Sequence, residues 1–219
     1  SLAGVGHLVD QVPTPLHVLV NNAGAAFASR ELSPEGIERT LAVNHVAVAA
    51  LTNSLLDALR AGADGSGRPS RVVNVSSSME RRGDPHLQDW TYARRYGQLR
   101  AYCDAKLLNL AHTYRLAGEL DGSGVTVNAA DPGAVATSFG RNAGGLLRVV
   151  QLLGKPFMAR PRDAAATVIR LATAPELDRV TGGYFVDCAP GESSATSRDQ
   201  QFAARVHART TTILNRAPR

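Results

Sequence analysis

Lysine is almost missing from this chain. Of its 24 Lys and Arg residues only Lys106 and Lys155 are lysines, so the net charge of +5 and the pI near 9.7 rest on arginine. The arginines are scattered, with short pairs at Arg81-Arg82 and Arg94-Arg95, and aromatic residues make up only 5%. Nucleic-acid binding would need a basic stripe or a recognisable module, and neither is there. Cysteine is scarce too: Cys103 and Cys188, with six scattered histidines, make no metal-ligand spacing, so no metal site is expected. Cys103, beside Tyr102, reads as a small core residue in a reduced setting. No apolar run approaches the ~18 residues of a membrane span, and no signal-peptide pattern opens the chain. The expected location is cytoplasmic, with no membrane partner.

What is present is an alternation. At 219 residues the chain has the length of one sizeable domain, 44% hydrophobic and 20% charged. Residues 2–12 read as a poor helix. Leu16-His17-Val18-Leu19-Val20 is a continuous apolar run, the pattern of a strand buried on both faces of a parallel sheet, and it runs into Asn21-Asn22-Ala23-Gly24. Ser33-Pro34 predicts a helix start, Ser33 as cap and Pro34 in the first turn, with a helix to about Leu59 carrying Asn44 near its middle. Arg71–Val75 is the next strand and ends in Ser76-Ser77-Ser78. Residues 79–97 are polar and irregular and include Trp90. A helix over Tyr102 to about Leu120 is broken by Gly122-Ser123-Gly124, and the strand Val125–Ala130 closes on Asp131-Pro132-Gly133. Residues 134–161 suggest a mobile, partly helical lid. A helix over Asp163–Ala174, a strand over Gly183–Asp187 and an amphipathic helix over 197–215 complete the chain. Strand and helix in this order predict a parallel α/β sheet with helices on both faces. Ligands of such sheets sit at the carboxyl ends of the strands. The Asn-Ala-Gly turn, the triple serine and the Asp-Pro-Gly turn each follow a strand end, so they are expected to gather on one edge.

Chemistry concentrates at Ala101-Tyr102-Cys103-Asp104-Ala105-Lys106-Leu107. Tyr102 and Lys106 are four apart and share one helix face. A phenol beside a fixed ammonium ionises more easily, which would make Tyr102 usable as an acid/base. Tyr102 is the only tyrosine with a lysine four residues on; Tyr96 has Arg100 there, and arginine is a wider, differently shaped cation. A hydroxyl from the end of the serine strand could hold a substrate oxygen within reach of the phenol.

Taken together these segments resemble the short-chain dehydrogenase/reductase family. Asn21-Asn22-Ala23-Gly24 matches its NNAG turn, Asn44 its helix asparagine and Asn74-Val75-Ser76-Ser77 its serine strand. Tyr102 to Lys106 matches its YxxxK, and Asp131-Pro132-Gly133 with Thr137 its PG…T segment. The long interval from Ser77 to Tyr102 and the tail Gly183-Tyr184-Phe185-Val186-Asp187-Cys188 are similar to the retinol-dehydrogenase-like branch. The resemblance implies a single Rossmann-type doubly wound domain over 1–219. It also implies an NAD or NADP cofactor and a reaction interconverting an alcohol and a carbonyl by hydride transfer. Tyr102 would be the acid/base. Lys106 would lower its pKa and hold the nicotinamide ribose, Ser77 would bond the substrate oxygen, and Asn44 would keep a water of a proton relay through its helix backbone. Asn21, Ala23, Gly24, Pro132, Gly133, Val135 and Thr137 would line the cofactor. The partner would be a small-molecule alcohol or carbonyl, and a homodimer would pair the helices bearing Asn44 and Tyr102.

One departure qualifies this. The family opens with a strand, a TGxxxGxG loop on a helix N-terminus and further strands, and none of these precedes Leu16. The domain is therefore expected to be N-terminally truncated, with position 1 inside a longer gene product or a mis-called frame. Two functions compete: an oxidoreductase written without its first third, or an inactive relative acting as a scaffold or regulatory binding protein. The four residues Asn44, Ser77, Tyr102 and Lys106 together favour the first; the missing glycine loop favours the second.

Overall fold

The structure is a computed structural model that describes residues 1–133 and 161–216. Its centre is a five-stranded sheet in the order β1 (Val18–Asn21), β2 (Ser70–Val75), β3 (Val125–Asp131), β4 (Tyr184–Val186) and β5 (Ala189–Pro190). The first four run parallel, with Asn21 opposite Asn74, Asn74 opposite Ala129 and Ala130 opposite Phe185. Every residue of β2 and β3 is buried, as their β-branched and small residues suit a strand covered on both faces. β5 was not expected. It turns back antiparallel onto β4 through Asp187 and Cys188, both at positive φ (47° and 62°). Two left-handed residues close a tight hairpin, but the Asp-Cys pair lacks the glycine that signals such a turn.

The helices are α1 (Leu2–Val9), α2 (Arg39–Leu41), α3 (Ala47–Ser54), α4 (Leu56–Ser66), α5 (Gln98–Glu119), α6 (Pro161–Thr173) and α7 (Gln200–Arg216). The helix start read at Ser33-Pro34 is wrong by five residues. Gly36 at φ +75° sits in a turn in which Ser33 N–H donates to the Ile37 carbonyl, so the backbone leaves helical geometry just after Pro34. Glu38 is the cap instead, its carboxylate accepting from the Thr40 and Leu41 amides. Nor does one helix follow: a π-helical turn, Ala42–Val46, joins α2 to α3, and a 52° bend separates that run from α4. α4 lies so close to the chain entering β1 that a Cβ at Gly62 would be 2.1 Å from the Leu16 carbonyl oxygen.

One sheet face is covered by α4 and α5, where Leu59, Val72, Leu116, Leu120, Val125 and Val127 form a single cluster. The other is covered by α6, with Val73, Ala130, Phe185 and Leu171. Buried Arg71 ties α6 down, donating to the Leu171 carbonyl (2.7 Å) and pairing with Asp178. The expectation that the β1 run is buried on both faces fails: Val18 and Val20 are 37% and 39% exposed. β1 is the sheet edge, and α6 shields the face of Val18 and Val20 only in part. Beyond α5 a second layer forms from α7, where Phe202, Val206 and Ile213 pack with Leu107, Leu108 and Trp90. Residues 79–97 begin as a 3-10 turn, Ser78–Arg82, and their Trp90 is wholly buried. Among the described residues no single helix is long and apolar enough to cross a membrane. The lid expected at 134–161 lies, but for Pro161, outside the described residues.

Candidate active site

The register places the ends of β1, β2 and β3 on one edge of the sheet, as the turns after them required. Each residue expected there can be located in turn. Asn21 is buried, and its side chain faces inward. Its amide donates to Thr52 Oγ1 (3.0 Å) and Asn74 Oδ1 (2.8 Å), while the Asn74 amide donates to Thr113 Oγ1 (2.8 Å). This chain of amides fastens β1 to β2 and both to the helices above. Ala23 and Gly24 are exposed just beyond. A Cβ at Gly24 would stand 2.7 Å from Asn44 Oδ1, so glycine is required there by close approach.

Asn44 occupies the π-helical turn, a geometry found often at functional positions. Its amide donates to the Ala25 and Thr40 carbonyls at 2.7 Å each, and among the described residues its buried Oδ1 has no hydrogen-bond partner. The mid-helix asparagine therefore has a polar task rather than a solvated position.

Ser77 ends the run after β2 in extended backbone (φ −165°, ψ 144°). Its Oγ caps the 3-10 turn by accepting from the Met79 amide at 3.3 Å. The same hydroxyl hydrogen-bonds the Tyr102 side chain. Strand-end cap and phenol partner are thus one residue. Ser76 Oγ is buried with no partner among the described residues. Tyr102 lies in the first turns of α5 and Lys106 one turn on. Lys106 Nζ is buried, donates to the Val75 carbonyl at 2.8 Å and stands 5.6 Å from the centre of the Tyr102 ring.

The electrostatics differ from the expectation. Burial pushes the Tyr102 phenol up to about 12, with the Asp131 charge adding to the rise and the Ser77 hydrogen bond opposing it. Lys106 is pulled down to about 8 by burial, against the influence of Asp131. The expected depression of the phenol by the ammonium is not realised here. Desolvation disfavours the phenolate, and Lys106 spends a hydrogen on Val75 while lying over the ring.

Asp131 itself was missed as a site residue. Its Oδ1 accepts from the Gly133 amide (2.9 Å) and its Oδ2 from the Tyr184 hydroxyl (2.6 Å). The signal was an acid closing a strand otherwise free of charge, Val125–Asp131. Pro132 and Gly133 follow at the same edge, Gly133 at φ +69° with open space where a Cβ would be. Val135 and Thr137, also expected to line the cofactor, lie outside the described residues. No group of three or more His, Cys, Asp or Glu residues able to hold a metal occurs among the described residues.

A parallel sheet with a serine, a tyrosine and a lysine converging at its carboxyl edge is the arrangement of one family, and the chain belongs to it. The family described as short chain dehydrogenase matches residues 3–144, and the relatives place the chain in its retinol-dehydrogenase-like branch. Polyprenol dehydrogenase of Mus musculus is 39% identical over 212 residues, covering 95% of this chain and 63% of that protein. Retinol dehydrogenase 12 of Homo sapiens is 37% identical over 191 residues, covering 87% and 58%. The chain thus spans less than two thirds of the length of these relatives. Among solved structures, an uncharacterised protein of Mycobacterium paratuberculosis superposes with a TM-score of 0.73 at 27% identity, covering 98% of this chain and 72% of that one. The RhlG/NADP active-site complex of Pseudomonas aeruginosa does so with 0.63 at 25% identity, covering 85% and 71%.

Proposed function

We propose that this chain carries the catalytic half of an NAD(P)-dependent oxidoreductase that interconverts an alcohol and a carbonyl. The reading rests on one observation: the Tyr102 phenol, bonded to the Ser77 hydroxyl and overlain by the Lys106 ammonium, at the carboxyl edge of the sheet. A phenol held near 12 is fully protonated at neutral pH, so Tyr102 is poised as a proton donor to an oxygen that gains charge. Ser77 holds that oxygen, since a hydroxyl can donate to it while keeping its place as cap. Lys106 has three donors, of which the Val75 carbonyl takes one, and the others serve the phenol and a ribose.

The residues present fit the nicotinamide end of such a cofactor. Gly133 leaves backbone open to close approach, and Lys106 supplies a buried donor at the end of β2. When bound, the nicotinamide would give or take the hydride. Asn44, with Oδ1 unpartnered and its helix opened into a π turn, suits a proton relay leading away from Lys106. The relatives named as polyprenol and retinol dehydrogenases support an alcohol of extended apolar character as substrate.

The test is Tyr102→Phe in a polypeptide of its relatives' length, with a TGxxxGxG segment ahead of Ser1. Turnover should fall by ~10²–10⁴-fold, the usual loss on removing a general acid/base, with cofactor affinity close to unchanged. Near-normal turnover would refute the assignment.

A further inference from the structure

Asp131 does more than its hydrogen bonds require. It is 3% exposed at the end of β3, and alternation with Val127 and Ala129 turns it to the face that α5 covers. Tyr184 and Gly133 hold its two oxygens from either side. A neutral asparagine would accept one of these bonds with less desolvation, so a carboxylate here needs a reason. Lys106 supplies it. The Val75 carbonyl that Lys106 bonds belongs to the residue opposite Ala130, next to Asp131. A buried ammonium with only neutral acceptors tends to lose its proton.

We propose that Asp131, clamped by Tyr184 and Gly133, is a positioning residue that keeps the buried Lys106 in its charged, donating form. This inference rests on the reading of Tyr102 and Lys106 as the acid/base pair. Asp131 acts on both in the same direction, opposing the fall that burial imposes on Lys106 and helping to keep Tyr102 protonated. Among the described residues, the groups that act at this spot are Tyr102 and Cys103 on α5, Ser77 and Glu80 at the cap and within the 3-10 turn, Asp131 on β3 and Tyr184 on β4. Arg81 lies at the rim and acts on Tyr184, while Glu80 is occupied by the Ser194 amide and hydroxyl. Asp131 is thus the carboxylate placed to balance Lys106. The pair would hold the proton donor and its neighbour in the form needed to reduce a carbonyl.

Scarcity of lysine makes the test clean. With only Lys106 and Lys155 in the sequence, the lysine Nζ atoms of the 219-residue chain give two ¹⁵N resonances, each followed through pH. In Asp131→Asn the Lys106 midpoint should drop from near 8 by about one pH unit or more, while Lys155 stays put. Tyr184→Phe keeps the charge, so it should move Lys106 less than half as far. An unmoved Lys106 in folded Asp131→Asn would overturn the inference, and so would an equal shift in both variants, which would mark a packing effect. Should Asp131→Asn not fold, the wild-type ¹³Cγ signal of Asp131 must inflect as Lys106 titrates; a flat signal there would overturn it as well. None of these readouts needs cofactor or substrate. A Lys106 shift alongside a fully active Tyr102→Phe would sink the acid/base reading and leave the coupling standing.

Discussion

The two faces of the sheet are made from the same kind of residue and end in different surroundings. On the α5 side, Leu59, Val72 and Val127 are wholly buried, and α7 adds a further layer that seals His45, Trp90 and His112 beneath it. On the α6 side, Val73 and Ala130 are buried, yet Val18 and Val20 on β1, the strand next to Val73, stand more than a third exposed. Valines of β1 and β2 are alike in sequence. An apolar run therefore identifies a strand, whereas its cover is supplied by elements distant in the chain. β1 lies at the end of the sheet order, with β2 as its one neighbouring strand among the described residues.

That contrast can be broken or sharpened by substitution. The largest effect is expected from Leu59→Ala on the sealed face, which removes a fully buried side chain from the cluster between α4 and the sheet. It should cost about 2–5 kcal/mol in urea unfolding. A loss under about 1 kcal/mol would mean that this face is no better packed than the other.

Next comes acid. Burial pushes His112 down to about 4, with the His207 and Arg115 charges adding to the fall, and lowers His45 well below the usual range. Both are neutral in the folded chain, whereas in the unfolded chain they take up protons below about 6.5. The unfolded state therefore binds more protons between about 6.5 and 4, and stability present above that window is lost as pH falls through it. His112 accounts for up to about 3 kcal/mol of this by the arithmetic of 1.36 kcal/mol per pH unit. Urea midpoints at pH 7.5 and 4.5 measure the fall. His112→Leu should flatten it markedly, and an equally steep fall in that variant would place the pH sensitivity elsewhere.

The smallest effect belongs to the open face. Val20→Lys should change stability by no more than about 0.5 kcal/mol in urea unfolding. If Val20→Lys proves as damaging as Leu59→Ala, then β1 is covered in solution by something other than α6.

Much of the site could be read from residue order. Tyr102 and Lys106 are one helical turn apart wherever that helix lies, and Ser77 follows a strand whose composition admits little else. The misreadings share one cause. Ser33-Pro34 has the chemistry of a helix start, but Gly36 two residues later takes a left-handed turn that propensity does not reveal, and Glu38 captures the free amides. The side-chain amide of Asn21 is taken up by Thr52 and Asn74, residues 31 and 53 positions away, which the motif alone does not reveal. The ionisation of Tyr102 was judged from Lys106 alone; desolvation and the Asp131 charge outweigh it, and neither is visible four residues along a helix.

By itself the sequence determined the alternation of strands and helices, the carboxyl edge on which the turns gather, and the pairing of Tyr102 with Lys106. These depend on local periodicity and on the direction of parallel strands, both of which are properties of neighbouring residues. Only the tertiary structure decided that Tyr184 bonds Asp131 at the end of β3, that α7 packs on α5, and that β1 has one neighbouring strand among the described residues. Burial and charge act through space, and the residues that impose them here come from β3, β4 and α7, remote in the chain from the groups they govern.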